Sequence, residues 1–157
     1  MKLSASEKFV IGAALGAVVI YAIHSNYEFA YNLTPSLPYK AFLIKKGEPV
    51  GRGDLVAFKW RGGLGYERGA LIIKKVAAAE GDVVVRTGRE FSVNGDVVAK
   101  ALERTSAGQP VQAAGGGLVP QGQFFVVATN TISLDSRYAK FGNVNKSEVI
   151  GRAYPIW

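Results

Sequence analysis

A run of 19 residues without a formal charge, Phe9 to Tyr27, restricts the fold more than any other feature of this chain. As a helix rising 1.5 Å per residue it measures about 28 Å, close to the thickness of a bilayer's hydrocarbon core. A single transmembrane anchor is therefore expected over residues 9–27, with Tyr21, His24 and Tyr27 towards the far interface. Lys2 and Lys8 precede the run, whereas residues 28–39 hold one Glu and no Lys or Arg. The positive-inside rule then leaves a short tail, residues 1–8, in the cytoplasm and carries residues 28–157 across the membrane. No Ala-x-Ala pattern follows the run at the usual place, which argues for an uncleaved anchor over a removable signal peptide. The remainder has the length of one ordinary domain.

Several chemistries are excluded by what the chain lacks. It has no cysteine, hence no disulfide framework, thiol nucleophile or thiolate metal site. The single histidine, His24, ends the apolar run, so multi-histidine zinc sites are ruled out and a Ser-His-Asp triad would have to use it. No cofactor or metal is expected. Residues 39–157 contain 17 Lys and Arg against 10 Asp and Glu, which accounts for the net charge of +7. These cations are scattered, with only Lys45-Lys46 and Lys74-Lys75 adjacent and no basic stripe, so anionic lipid headgroups suit them better than direct contact with nucleic acid.

From Tyr39 onward short β-branched and aromatic runs alternate with glycine. Candidate strands are Ala41–Ile44, Leu55–Lys59, Ala70–Ala77, Val83–Arg86, Glu90–Val93, Val97–Ala101, Phe124–Ala128 and Val149–Tyr154. Asn94-Gly95 is a two-residue hairpin signal, because both central residues of a type I′ turn need positive φ. Gly62-Gly63-Leu64-Gly65 lacks the Lys-Ser/Thr and the helix of a phosphate loop and reads as a hairpin tip. The fold class is mainly β, a folded or barrel-like antiparallel sheet behind one N-terminal transmembrane helix. Residues 102–123, with Gly115-Gly116-Gly117, read as a long flexible excursion.

Two segments carry chemistry. Asn32-Leu33-Thr34-Pro35-Ser36-Leu37-Pro38 sets a serine between two prolines, which fix φ and push the preceding residue into an extended conformation. That serine is expected on a stiff, extended, exposed segment beside the membrane, suited to nucleophilic attack, although the same residues also suit a plain exit linker. Ile72-Ile73-Lys74-Lys75-Val76-Ala77 places two lysines in an apolar strand. Neighbouring strand residues face opposite ways, so one lysine can be buried while the other reaches solvent. Burial disfavours the ammonium form and can bring a lysine into the range of a general base, able to activate a serine hydroxyl.

The ordered set T-P-S-L-P, I-K-K-V with Gly81-Asp82, Val119-Pro120-x-Gly122-x-Phe124-Phe125-Val126 and Ser133-x-Asp135-Ser136-Arg137 resembles the type I signal peptidases, over residues 9–157. The short chain and N-x-T-x-S-x-P (Asn32, Thr34, Ser36, Pro38) look most like their TraF-type conjugative-transfer branch. The resemblance implies Ser36 as nucleophile and Lys74 as general base, with Lys75 as the fallback base. It further implies an oxyanion hole from the Thr34 hydroxyl and the Ser36 backbone N–H, Ser133 orienting the lysine amine, and Asp135 with Arg137 bracing the site. Pro35, Ala128-Thr129-Asn130 and Lys75–Asp82 depart from the family pattern.

The implied enzyme is a serine endopeptidase in the bacterial inner membrane with its domain in the periplasm. It would remove leader or terminal peptides from a preprotein or propilin, with hydrolysis or ring closure completing the reaction. Its implied partners are that substrate, membrane lipid approached through Tyr39, Phe42, Trp60 and Trp157, and other proteins of a conjugation apparatus. A non-catalytic anchored β-module of a secretion or conjugation apparatus is the alternative reading.

Overall fold

The computed structural model describes residues 4–34, 36–105 and 108–157. Lys2 of the expected tail, Pro35 of the T-P-S-L-P segment, and Ser106 and Ala107 of the expected excursion lie outside the described residues. Helix α1, Ala5–Asn26, begins a turn before the apolar run because Ser4 caps it. The Ser4 hydroxyl accepts the Glu7 N–H at 3.2 Å while the Glu7 carboxylate accepts the Ser4 N–H at 2.7 Å, a reciprocal pair that satisfies two orphan donors. No residue of α1 is buried against the rest of the protein, and the helix is long and apolar enough to cross a membrane.

Among the described residues eleven strands follow. They are β1 (Tyr27–Tyr31), β2 (Ala41–Lys46), β3 (Leu55–Lys59), β4 (Leu71–Ala79), β5 (Val83–Thr87), β6 (Glu90–Val93), β7 (Asp96–Lys100), β8 (Gly117–Leu118), β9 (Gln123–Val127), β10 (Val144–Asn145) and β11 (Val149–Pro155). All eight expected strands are present within two residues at either end. Strands β1, β8 and β10 are additions, β1 because Tyr27–Tyr31 pairs with β2 directly after the helix instead of serving as a membrane exit. A curled seven-stranded antiparallel sheet has the order β1-β2-β11-β3-β4-β9-β10, and a four-stranded antiparallel sheet has the order β7-β6-β5-β8. Asn94 and Gly95 turn the β6–β7 hairpin with φ of 54° and 91°, the positive values a type I′ turn requires.

Strand β3 shows why two cores form. Val56 and Phe58 point one way, into the larger cluster with Val76, Phe125 and Val126 of the main sheet and Val84, Phe91 and Val93 of the small one. Ala57 points the other way, into a smaller cluster with Ala30, Leu37, Phe42, Ile44 and Ala153. Burying both faces explains why β3 reads as a continuous apolar run.

Two expectations about aromatic side chains are corrected. Phe42 is fully buried in the smaller cluster, and Trp60 is buried, stacked on Phe141 at 4.6 Å with its indole N–H donating to the Gly63 carbonyl. Neither can rest on lipid, whereas Tyr39 and Trp157 are exposed. The 102–123 stretch is tied down at several points. Val119 N donates to Asp82 O at 2.9 Å, Ala114 N to Arg137 O at 2.7 Å, and Ala113 and Val119 are buried.

Candidate active site

The chain from β1 to β2 carries Thr34 and Ser36, β4 carries Lys74, and the segment after β9 carries Ser133, Asp135 and Arg137. Ser36 does not sit on an extended, exposed segment as its prolines suggested. Residues 36–38 form a turn and bend, and Ser36 is only 7% exposed. The cause is Asn32. Its carboxamide N–H groups donate to the carbonyls of Leu37 (3.1 Å) and Tyr39 (2.9 Å), while its oxygen accepts the Thr34 N–H at 3.3 Å. One side chain thus folds the loop back on itself, and buried Leu37 pins it to the smaller core. From the other side the Thr129 hydroxyl donates to the Ser36 carbonyl at 3.2 Å.

In the sequence Asn32 stands out only as part of a motif, and Thr129 only as a departure from one. An Asn two residues before a Thr is a recognisable turn signal, but nothing in the sequence marks Thr129. The Ser36 hydroxyl lies 3.0 Å from the Thr34 hydroxyl.

Lys74 and Lys75 split as strand alternation demands. Lys74 pairs with Val56 across β3 and β4 and shares its inward face, leaving it 4% exposed. Lys75 is exposed and lines a different cavity together with Arg52 and Asp96. Burial pulls the Lys74 amine down from the ordinary lysine value of 10.5 to about 8; the Asp135 carboxylate opposes that shift and the Arg137 guanidinium adds to it. Its Nζ donates to the Ser133 hydroxyl at 2.7 Å.

Ser133 is itself held from below. Arg137 donates to the Ser133 carbonyl at 3.3 Å and grips fully buried Asp135 with two nitrogens, at 2.7 and 2.6 Å. The Asp135 carboxylate also accepts the backbone N–H groups of Ala128 (2.7 Å) and Arg137 (3.1 Å). Every charge in this pair is matched, which a buried ion pair needs if it is not to weaken the fold.

Ser36, Thr34 and Lys74 line one cavity of about 360 Å³, walled by Ala30, Leu71 and Ile73 among others. Among the described residues no hydrogen bond joins Lys74 Nζ to Ser36 Oγ, each being engaged by its neighbouring hydroxyl. Unliganded sites commonly show such catalytic contacts long or unmade. Beside the cavity β4 has an open edge, because β9 pairs only with its second half, Lys75 to Ala79. Val76 directs its N–H and carbonyl to Asp54 and Gly53 on the β3 side. By alternation Ile73 and Leu71 direct theirs to the open side.

Comparison with known proteins places this architecture in context. The family model described as signal peptidase, peptidase S26, matches residues 3–157. A conjugal transfer protein TraF of Agrobacterium fabrum (strain C58) is 32% identical over 94% of this chain and 92% of its own length. A protein of the same name from Agrobacterium tumefaciens (strain 15955) is 31% identical over 95% and 93%. Signal peptidase I V of Bacillus subtilis (strain 168) is 32% identical over 65% of this chain and 63% of its own. Among solved structures, a signal peptidase I from Enterococcus faecalis V583 matches with a TM-score of 0.45 and 22% identity, covering 67% of this chain and 97% of that one.

Proposed function

This chain belongs to the signal peptidase family, peptidase S26, and from that premise we propose that it is a membrane-anchored serine endopeptidase in which Ser36 is the nucleophile and Lys74 the general base. The observation that carries the reading is a desolvated amine on β4 facing the same cavity as the Ser36 hydroxyl. The neutral amine takes the Ser36 proton as Oγ attacks the scissile carbonyl. The Thr34 hydroxyl and the Ser36 N–H receive the developing oxyanion, a contribution typically worth about 10²–10³ in rate per donor. Lys74 then returns the proton to the departing amine as the C–N bond breaks, leaving an acyl group on Ser36. Water, or an amine of the substrate itself, opens that ester. Ser133 aims the amine, and the Asp135–Arg137 pair holds Ser133.

The substrate lies extended along the open edge of β4, where Leu71 and Ile73 offer unpaired backbone groups, with small side chains in the cavity. The conjugal transfer relatives support a propilin or another exported preprotein as that substrate, matured for conjugation. The helix fits a membrane-anchored protein, and the charges flanking it support a cytoplasmic N-terminus and a periplasmic domain. Exposed Tyr39 and Trp157 and the net positive charge support contact with anionic lipid.

The test incubates the purified full chain in lipid micelles with a candidate propilin and follows products by mass spectrometry. Ser36→Ala and Lys74→Ala are each expected to lower processing by about 10³-fold or more. A product lighter than the linear one by one water identifies ring closure. The missing Ser36–Lys74 hydrogen bond is also what a non-catalytic module retaining this fold would show. Processing that survives both substitutions overturns the Ser36–Lys74 assignment, and a wild-type chain that processes nothing selects that module.

A further inference from the structure

Two cavities meet at Ser36. The one that holds Lys74 has been described. The second, of about 260 Å³, shares Thr34, Ser36, Tyr66 and Leu134 with it and extends towards Leu102, Arg104, Val111 and Tyr138. A chain extended across the Ser36 hydroxyl leaves one cavity and enters the other. If the acyl segment lies along the open edge of β4, the segment released by cleavage lies in the second cavity.

The chemistry of that cavity differs from the first. Among the described residues that line it, Arg104 is the only one with a formal charge. One guanidinium nitrogen donates to the Gly108 carbonyl at 2.9 Å, and no carboxylate of the described residues pairs with it. Arg52, Arg61, Arg89, Arg137 and Arg152 each face an acid, whereas Arg86 donates to the Gly88 and Ala114 carbonyls, away from this cavity. A guanidinium has five N–H donors in a planar fork that fits a carboxylate with two parallel bonds. Leu102, Val111 and the Tyr138 ring line the same cavity, while Arg104 itself is exposed at its edge, so a contact there is partly solvated.

We infer that this second cavity is the subsite for the leaving segment and that Arg104 selects a carboxylate on that segment. The inference rests on Ser36 being the nucleophile. The carboxylate comes either from an Asp or Glu side chain or from the free C-terminus of a short leaving peptide, and both present the same planar anion.

Binding can be read without turnover, on the full chain carrying Ser36→Ala in detergent micelles. Three probes are compared: N-acetyl-trialanine with a free carboxylate, its C-terminal amide, and the amide of N-acetyl-Ala-Asp-Ala. At least one anionic probe is expected to bind about five- to tenfold more tightly than the neutral amide, the range for a charge-assisted bond at a partly solvated site. Which of the two gains identifies the source of the carboxylate. Arg104→Gln, added to Ser36→Ala, removes the preference and Arg104→Lys retains part of it, while Lys59→Gln leaves it unchanged. Equal binding of all three probes, or a preference that survives Arg104→Gln, overturns the inference. Because no cleavage is needed, this outcome is independent of whether the wild-type chain processes a propilin. An intact preference in a chain that cleaves nothing would sink the peptidase reading and leave a carboxylate site.

Discussion

Lys74 weakens the fold that carries it. Below about pH 8 it is charged in both the folded and the unfolded chain, and the folded chain bears the cost of a buried ammonium. Between about pH 8 and 10.5 the folded chain releases the proton first, so stability rises with pH across that window and levels off above it. Lys74→Met is therefore expected to stabilise the protein at pH 7 by about 3 kcal/mol, an advantage that vanishes by pH 10.5, as denaturant titration at several pH values will show. If the same amine is the base, kcat/KM of the wild type climbs with pH and levels off near pH 8, whereas a pH-independent rate would remove Lys74 from that role. Asn32 works differently, through geometry. Asn32→Asp keeps the acceptor for Thr34 but loses both donors to Leu37 and Tyr39, and Asn32→Ala loses all three bonds. If Ser36 is the nucleophile, both are expected to lower kcat by about tenfold or more with little change in KM, since a nucleophile displaced by about 1 Å loses rate more than affinity. Equal losses in kcat and thermal stability with an unaltered split would make Asn32 merely structural. The two lysines were legible in the sequence because strand alternation is local and obliges one of them to face inward. The Ser36 turn was not legible, because Asn32 and Thr129 act through contacts that the chain's reversal creates, and the flanking prolines pointed to an extended segment instead.

Strand β11 depends on a close approach at Gly151. It pairs with Lys46 of β2 on one side and Ala57 of β3 on the other, beside a register shift, and a Cβ there would collide with the Lys45 carbonyl oxygen. Since β11 lies between β2 and β3 and pairs with both, the backbone cannot give way without disturbing the sheet. Gly151→Ala is expected to destabilise the protein by about 1–3 kcal/mol, the usual cost of overpacking. Gly115→Ala, where a Cβ meets nothing within 4 Å, should change stability by less than about 0.5 kcal/mol in the same denaturation experiment. Most strands were readable because their apolar runs and glycine punctuation are local signals. Strand β1 was not, because Tyr27–Tyr31 directly follows a membrane-like helix and its strand character comes from pairing with β2. The half-paired edge of β4 was likewise hidden, as it depends on where β9 stops rather than on any residue of β4.

The helix and the sheet are joined without a linker. Tyr27 caps α1 by donating its N–H to the Ile23 carbonyl and in the same residue pairs with Lys45 as the first position of β1. Lys46, on the neighbouring strand, reaches back to donate to the His24 carbonyl at 2.9 Å, covering one of the orphan acceptors at the helix C-terminus. Ser36 follows the end of β1 by five residues, and β1 itself spans about 17 Å. With α1 in a membrane, a stiff junction of this kind would set the height of Ser36, the proposed nucleophile, above it. Inserting six Gly and Ser residues between Asn26 and Tyr27 adds a tether with a reach of about 13 Å and frees the domain to turn. Cleavage of a short soluble peptide is expected to stay within about twofold of wild type, because the insertion touches neither cavity. Cleavage of the same sequence placed next to a transmembrane segment in a shared vesicle should fall several-fold, as the two membrane-held reactants lose their common height and their effective concentration drops. Losses of equal size for both substrates would show that the insertion damages the domain itself, and unchanged rates for both would show that the anchor confines the enzyme without positioning it.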